Sequence, residues 1–257
     1  MRKSRRRTYV KKLPYILTLF LYFLNSPLTF AETLTISSQH TFFTKVCENI
    51  LQSALKHESI DVNYERYPST RSLKRANEGF VNGELCRIQG VEKKWKNLVM
   101  ISPPIAAFYG AIFTNKKIKN NIENWKDLKG KKVGIRRGHI YSTIGTAGFN
   151  TKNIVKVSTT KQLLGMLELG RIDAAVLIRH NALDIIAKNP EKYQNIKLSN
   201  PNIGEFHSYL YLHKSQIDKL EKVAKGIESA RNSGSSQMIY NKNISKHNLI
   251  LQTLLLR

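Results

Sequence analysis

The chain has 257 residues, and its 42 lysines and arginines against 18 aspartates and glutamates give it a formal net charge of +24. This length is sufficient for one large domain or two small lobes with hydrophobic cores, and two cysteines are too few for a small disulfide-rich scaffold. The basic residues are scattered and form no aromatic-basic RNA motif. We therefore expect an anionic partner but no nucleic acid.

The first 31 residues have the composition of a cleavable export signal. A head with seven basic residues precedes an apolar run from Leu13 to Phe30, which prolines and an asparagine interrupt. Because this run is too short and broken to anchor the chain in a bilayer, we expect cleavage after Ala31 and a location in the periplasm. Arg6 and Arg7 also resemble a twin-arginine signal, but the secretory route is preferred because no later segment demands a cofactor inserted in the cytoplasm. Cleavage lowers the net charge to about +17.

Short apolar runs alternate with helical patterns in the first part of the remaining chain, as in an α/β protein. Thr41 begins a helix with one apolar stripe, and Pro68 ends the strand that follows. The predicted strands cover residues 34–37, 61–67, 85–88 and 98–102, and the predicted helices cover residues 41–56 and 70–79. These elements form a first α/β unit.

A second unit of the same kind begins near Trp125. Thr159 begins a helix that ends at Gly170, and a fully apolar strand follows Asp173. The predicted strands of this part cover residues 132–135, 155–157, 174–178 and 209–212, and amphipathic helices cover residues 215–233 and 235–242.

The two cysteines, Cys47 and Cys86, lie in a chain that we expect to be exported to an oxidising compartment. Neither belongs to a CxxC pair of the kind that binds metal. A structural disulfide and two buried thiols both remain open.

Three segments in this order resemble the family 3 extracellular solute-binding proteins, the receptors for polar amino acids that serve ABC importers. They are the segment from Trp125 to Ile135, the segment from Leu167 to Val176, and Tyr209 to Lys214 followed by an amphipathic helix. The likeness covers nearly all of residues 32–257. It implies a two-lobed periplasmic-binding-protein fold of type II, with two α/β lobes joined by two crossing hinge segments.

The resemblance also implies a domain organisation and a role. Lobe one would comprise residues 32–112 and 207–257, and lobe two would comprise residues 113–206. The expected role is that of a monomeric receptor that closes on a small polar solute and delivers it to a membrane ABC importer. An alternative is a ligand-sensing protein that docks on a membrane signalling receptor.

One candidate ligand contact is the loop between a predicted strand and a predicted helix at residues 136–142. Arg137, Gly138, His139, Tyr141 and Ser142 lie where free backbone N–H groups and the helix dipole favour an anion. In members of the family, a similar loop receives the carboxylate of the ligand. The alternative is a plain turn between strand and helix.

Three further candidates lie in the first unit. Tyr67 could present a ring face and Arg71 a fork of donors at the end of a strand, although Arg71 could equally be a solvated residue at a helix start. Arg87 lies between apolar neighbours and needs an anionic partner, either a ligand carboxylate or an internal acid. We favour the ligand.

The departures from the family pattern point to the chemistry of the solute. Members usually carry an acid after the strand at 174–178, where it binds an α-amino group, but this chain has Arg179 followed by His180 and Asn181. Asn82 and Gly83 also replace the usual Asp-Gly. The basic replacement argues against a zwitterionic amino acid and for a more anionic solute, with Arg179 as a further ligand contact.

An enzyme on the same fold is the least favoured interpretation. The seven histidines show no HExxH spacing or metal-binding cluster, and no GxSxG motif is present. We therefore expect no catalytic residue, no metal and no cofactor.

Overall fold

The computed structural model describes residues 32–118 and 122–255, so the predicted export signal at residues 1–31 lies outside the described residues. Strands and helices alternate along most of the described chain. The strands are β1 (Glu32–Ser38), β2 (Ile60–Arg66), β3 (Gly83–Arg87), β4 (Leu98–Asn115), β5 (Val133–Arg136), β6 (Ile154–Val157), β7 (Ala174–Ile178), β8 (Ile196–Asn200) and β9 (Glu205–His213). The helices are α1 (Phe42–Lys56), α2 (Ser69–Asn77), α3 (Ile140–Gly145), α4 (Thr160–Glu168), α5 (Arg179–Lys188), α6 (Leu220–Asn232), α7 (Ser235–Ile244) and α8 (Asn248–Leu255).

The strands of the described ranges form one mixed sheet in the order β2-β1-β3-β9-β4-β7-β5-β6, and β8 also pairs with β4. β1 is parallel to β2 and β3, and β5 is parallel to β6 and β7. β4 pairs with β9 between Leu98 and Tyr109 and with β7 between Gly110 and Thr114. The long strand β4 therefore joins a first half of the sheet (β1, β2, β3 and β9) to a second half (β5, β6, β7 and β8).

Side-chain caps begin two of the helices where the sequence places hydroxyl residues. Thr41 accepts a hydrogen bond from the backbone N–H of Thr44 at the start of α1. Thr159 and Gln162 form a reciprocal capping box at the start of α4. Within the described ranges the longest helix, α1, has 15 residues, and no helix is long and apolar enough to cross a bilayer.

Two main hydrophobic clusters hold the helices on the sheet. In the first, α1 and α6 pack on the first half, with Ile36, Leu51 and Ile227 among the buried residues. In the second, α4 and α5 cover β7 and β8 of the second half. Leu254 of α8, in the segment expected to belong to lobe one, packs in the second cluster.

The structure differs from the sequence prediction most at β4, which continues 13 residues beyond the predicted end of the strand at Ser102. Pro103 and Pro104 favour a break in the strand because proline has no backbone N–H group. They lie where the pairing register between β4 and β9 shifts, so no hydrogen bond of a regular ladder is lost there. Three elements were also not predicted, namely α5, β8 and α8.

Candidate functional site

Contacts between the two halves of the sheet lie at the carboxyl ends of parallel strands. Nη2 of Arg136, at the end of β5, lies 3.4 Å from Oε1 of Gln39, just after β1. The backbone N–H of Phe43 donates a hydrogen bond of 2.8 Å to Oδ1 of Asn181, just after β7. We call the space between these strand ends the central cleft. Ligands of open α/β sheets bind at such carboxyl ends.

The central cleft contains two cavities that share Gln39. The inner cavity, of about 40 Å³, is mostly apolar. It is lined by Gln39, Cys86, Arg87, Ile88, Val91, Phe108, Gly138, His139, Ile140, Tyr141 and Ile178. The outer cavity, of about 810 Å³, is lined by Gln39, His40, Thr41, Phe42, Lys45, Arg66, Arg136, Thr159, Thr160, Lys161, Asn181, Asp184, Ile185, Lys188, Asn243 and Lys246.

Arg136 borders the outer cavity and is only 6% exposed. Nε and Nη2 of its guanidinium donate to the carbonyl oxygen of Ser158 at 3.3 and 3.1 Å, and Nη1 makes no hydrogen bond. Among the described residues, no carboxylate forms an ion pair with it. A buried guanidinium without an acid is costly, because buried charges are normally paired.

The electrostatics of Arg136 reflect the same isolation. Burial lowers the pKa of Arg136 to about 10, and the positive charge of Arg87 contributes to the lowering. The group remains a cation at neutral pH. An anion in the cleft would therefore meet a partly desolvated positive charge with a free donor atom.

The inner cavity has an aromatic wall. The ring of Tyr141 packs on Phe108 and Phe206, with centroid separations of 5.3 and 4.9 Å, and its hydroxyl makes no hydrogen bond. Burial holds the pKa of His139 well below its ordinary value, and the charges of Arg136 and Arg87 act in the same direction. His139 is therefore neutral, and the wall offers polar tips on an apolar surface.

Arg87 lines the inner cavity, but its charge is balanced inside the protein. Its Nε atom donates to Oε1 of Glu84 at 2.6 Å, and Nη1 and Nη2 donate to the Oγ atom and the carbonyl oxygen of Ser69, both at 2.8 Å. The guanidinium therefore has an internal acid as its partner, and contact of Arg87 with a ligand stays a prediction. The internal acid was the alternative partner. The pair forms because Arg87 and Glu84 are buried side by side, where a charge is stabilised by a hydrogen bond to an opposite charge.

The loop at residues 136–142 places its side chains in different environments. Gly138 and His139 line the inner cavity together with Tyr141. The side chain of Arg137 is exposed instead, and only its backbone N–H is engaged, with the carbonyl oxygen of Val157. The Oγ atom of Ser142 is buried and donates to the carbonyl oxygen of His139, so this hydroxyl stabilises the turn.

Tyr67, Arg71 and Arg179 line neither cavity of the central cleft. Tyr67 donates to Glu65 and lies under the guanidinium of Arg75, and Arg71 is exposed on α2. The guanidinium of Arg179 stacks on Tyr109 at 4.5 Å and donates to the carbonyl oxygen of Pro201. Contact of these three side chains with a ligand stays a prediction.

The cysteines are paired. Cys47 of α1 and Cys86 of β3 form a disulfide with a Cα–Cα separation of 6.4 Å, so the helix is linked to the strand beneath it. Cys86 also lines the inner cavity, which places the disulfide beside the cleft. In the part of the chain that the structure describes, no group of His, Cys, Asp and Glu side chains is placed to hold a metal ion.

Comparison with solved structures defines the class of fold. A histidine kinase sensor domain with similarity to periplasmic binding proteins has a TM-score of 0.72 and 18% identity, with coverage of 83% of this chain and 96% of that domain. The arginine-, lysine- and histidine-binding protein of Geobacillus stearothermophilus has a TM-score of 0.69 and 17% identity, with coverage of 83% and 96%. The chain has the fold of the periplasmic amino-acid-binding proteins, which confirms the predicted fold class.

Sequence comparisons are more limited. No family model matches the chain. A probable histidine-binding protein of Campylobacter jejuni is 31% identical over 141 residues, which cover 52% of this chain and 50% of that protein. The match therefore spans about half the length of this curated relative.

Arg136 is the residue that the sequence-based choice of candidates missed. It was assigned to the loop, although Val133 and Ile135 mark a buried strand that Arg136 continues by pairing with Val157. The feature that could have identified it is an arginine at the end of a short apolar strand. Such a strand is buried on both faces of the sheet, so the arginine is buried as well.

Proposed function

We propose that the chain is an exported binding protein whose two lobes close on a small anionic solute. The proposal rests on the buried guanidinium of Arg136, which borders the outer cavity, has no carboxylate partner among the described residues and has an Nη1 atom that makes no hydrogen bond. An anion at this position would compensate the desolvated charge. The fold supports solute binding, because its structural neighbours are binding proteins and a sensor domain.

The inner cavity offers no acidic partner for the ammonium group of a zwitterionic amino acid. The cavity contains no aspartate or glutamate, and the nearby carboxylate of Glu84 is already bonded to Arg87 and to the hydroxyl of Ser72. An α-ammonium group would therefore lack a charged acceptor there. The names of the Geobacillus protein and of the Campylobacter relative refer to basic amino acids, so the proposed solute class differs from theirs.

The proposed location is the periplasm, where a monomeric receptor would deliver its solute to a membrane ABC importer. The lobes would comprise residues 32–112 with 207–257 and residues 113–206, with hinges in β4 and β9. A second candidate is a sensor that docks on a membrane signalling receptor, and the likeness to a histidine kinase sensor domain favours it. Binding of the closed, solute-bound protein to membranes that contain the importer would indicate the transport receptor. Binding to membranes that contain the signalling receptor would indicate the sensor.

A thermal-shift screen of the purified protein tests the proposal. Carboxylates, dicarboxylates and sugar acids are compared with neutral and basic amino acids. A solute at a thousandfold excess over its Kd adds about 4 kcal/mol, which raises Tm by roughly 8 to 16 °C for a chain of this size. We expect this shift with an anionic class only.

Two neighbouring arginines provide a matched comparison. Arg136→Gln should abolish the shift, whereas Arg137→Gln, which removes an exposed charge from the next residue, should preserve it. Equal shifts in both variants, or a shift with basic amino acids alone, would contradict an anion site at Arg136.

A further inference from the structure

The outer cavity is strongly cationic. Six basic side chains line it, and the only carboxylate among its lining residues is that of Asp184. The six are Lys45, Arg66, Arg136, Lys161, Lys188 and Lys246. Like charges gathered around one cavity repel each other, so the arrangement favours a negatively charged occupant.

Two internal acids form ion pairs with four of these six cations. Glu48 pairs with Lys45 at 3.3 Å and with Arg66 at 2.6 Å. Asp184 pairs with Lys188 at 2.6 Å and lies 3.7 Å from Lys246. Arg136 and Lys161 have no carboxylate partner in the described parts of the chain.

Two helices add to the positive potential. The first residues of α1 and of α4 line the outer cavity, and neither helix has an acidic residue in its first turn. Lys161 lies in the first turn of α4, where the helix dipole disfavours a cation. An anion near Lys161 would interact favourably with both the ammonium group and the helix N-terminus.

The two unpaired cations lie at different depths. Arg136 is more than nine-tenths buried and its Nη1 atom makes no hydrogen bond, whereas Lys161 is exposed. A single compact anion at Arg136 would leave Lys161 without an anionic contact. The outer cavity, at about 810 Å³, has room for a solute that reaches from one to the other.

From this arrangement we infer that the solute is a dianion with its charges on two separate groups, one held by Arg136 and the other by Lys161 at the N-terminus of α4. This inference rests on the proposed function. It narrows the solute class to molecules such as linear dicarboxylates.

Isothermal titration of the purified protein tests the inference with matched probes. Linear dicarboxylates of four to seven carbons are each compared with their monomethyl ester, which keeps the length and removes one charge. We expect at least one diacid to bind about tenfold or more tightly than its ester. Lys161→Gln should lower the affinity for that diacid to the affinity for its ester and leave the affinity for the ester unchanged. Lys152→Gln, at an exposed lysine outside the cavity, should change neither affinity.

The outcomes separate this inference from the proposed function. If an ester binds as tightly as its diacid, or if Lys161→Gln leaves the difference intact, the second anionic group is overturned and the receptor for an anion stands. Tighter binding of glycerol phosphate, whose two charges lie on one group, than of every diacid overturns the separation of the charges. If the folded protein binds none of the probes but responds to another anion in the thermal-shift screen, the dianion is overturned and the receptor for an anion stands. If it responds to no anion in either experiment, the proposed function fails as well.

Discussion

The Nε atom of Arg87 donates a hydrogen bond of 2.6 Å to Oε1 of Glu84, and both side chains are buried, with Arg87 lining the inner cavity. Glu84 also accepts from the hydroxyl groups of Ser37 and Ser72. The carboxylate is thus surrounded by donors. The pair belongs to the framework of the cleft, because the same guanidinium holds Ser69 at the start of α2.

Glu84→Gln should lower the free energy of unfolding by about 3 to 5 kcal/mol, because it leaves the guanidinium of Arg87 buried without a counter-charge. Urea denaturation followed by circular dichroism measures the change. Glu78→Gln removes an acid from the exposed pair with Lys74 and should cost less than about 1 kcal/mol. Equal effects of the two substitutions would show that the Arg87–Glu84 pair has no special role.

Gly138→Ala should reduce both stability and solute affinity. Gly138 has a φ of +76°, and a Cβ atom there would lie 2.6 Å from Oγ of Ser69, which Arg87 holds in place. The positive φ alone costs roughly 1 kcal/mol, and the steric conflict adds to it.

Gly148→Ala is the matched control, because Gly148 has a φ of +80° and nothing lies within 4 Å of its Cβ position. It should show the backbone cost alone, with solute-induced shifts of Tm unchanged. A Gly138→Ala variant that binds as well as Gly148→Ala would mean that the approach of Ser69 to the loop is not needed for binding.

His180 should make the protein less stable in acid. It is 2% exposed, its ring stacks on His247 at a centroid separation of 5.8 Å, and its Nδ1 atom makes no hydrogen bond. Burial lowers the pKa of His180 to about 3, and the charges of Arg179 and His247 contribute in the same direction. The native state therefore stays unprotonated while the unfolded state takes up a proton below its pKa of about 6.5.

The contribution of His180 is fully present above pH 6.5 and decreases as the pH falls towards 3. Between pH 7 and 5, the wild type should lose about 2 kcal/mol more than His180→Gln, measured by urea denaturation at each pH. His57→Gln, at an exposed histidine, should follow the wild-type curve. Parallel curves for wild type and His180→Gln would contradict the assignment.

Replacement of both Cys47 and Cys86 by alanine should lower the free energy of unfolding by about 2 to 4 kcal/mol. The disulfide joins two residues that are 39 positions apart, and this link restricts the conformations of the unfolded chain. Chemical denaturation of the double variant, compared with the oxidised wild type, measures the loss. An unchanged midpoint would indicate that packing of α1 on β3 holds the two elements without the bond.

Local patterns predicted much of the fold. The strand at Ala174–Ile178 was predicted with its observed bounds, because a short apolar run lies between a turn and polar residues. The start of α1 followed from the hydroxyl cap at Thr41. By contrast, α5 was not predicted, because its first residues, Arg179, His180 and Asn181, are polar. Asn181 is buried where it contacts α1, and His180 is buried where it contacts the C-terminal segment.

The candidate site was predicted at the level of loops rather than of side chains. The loop at residues 136–142 does border the central cleft, but Arg136 rather than Arg137 is buried there. The strand is buried on both faces and ends at Arg136, so an error of one residue exchanges its buried last side chain for the exposed cation that follows it. The hydrophobic pattern of the sequence locates the strand. It does not show which residue at the end of the strand is still covered by the second half of the sheet.

Composition and local pattern determined that this is an α/β chain with a basic character and, by resemblance, the fold class. Only the tertiary structure decided which charges are balanced internally. Glu84 is three residues from Arg87 and pairs with it, whereas Arg136 meets no acid from any described element. The difference depends on which distant segments come together, since an ion pair depends on distance and burial that a linear sequence does not contain.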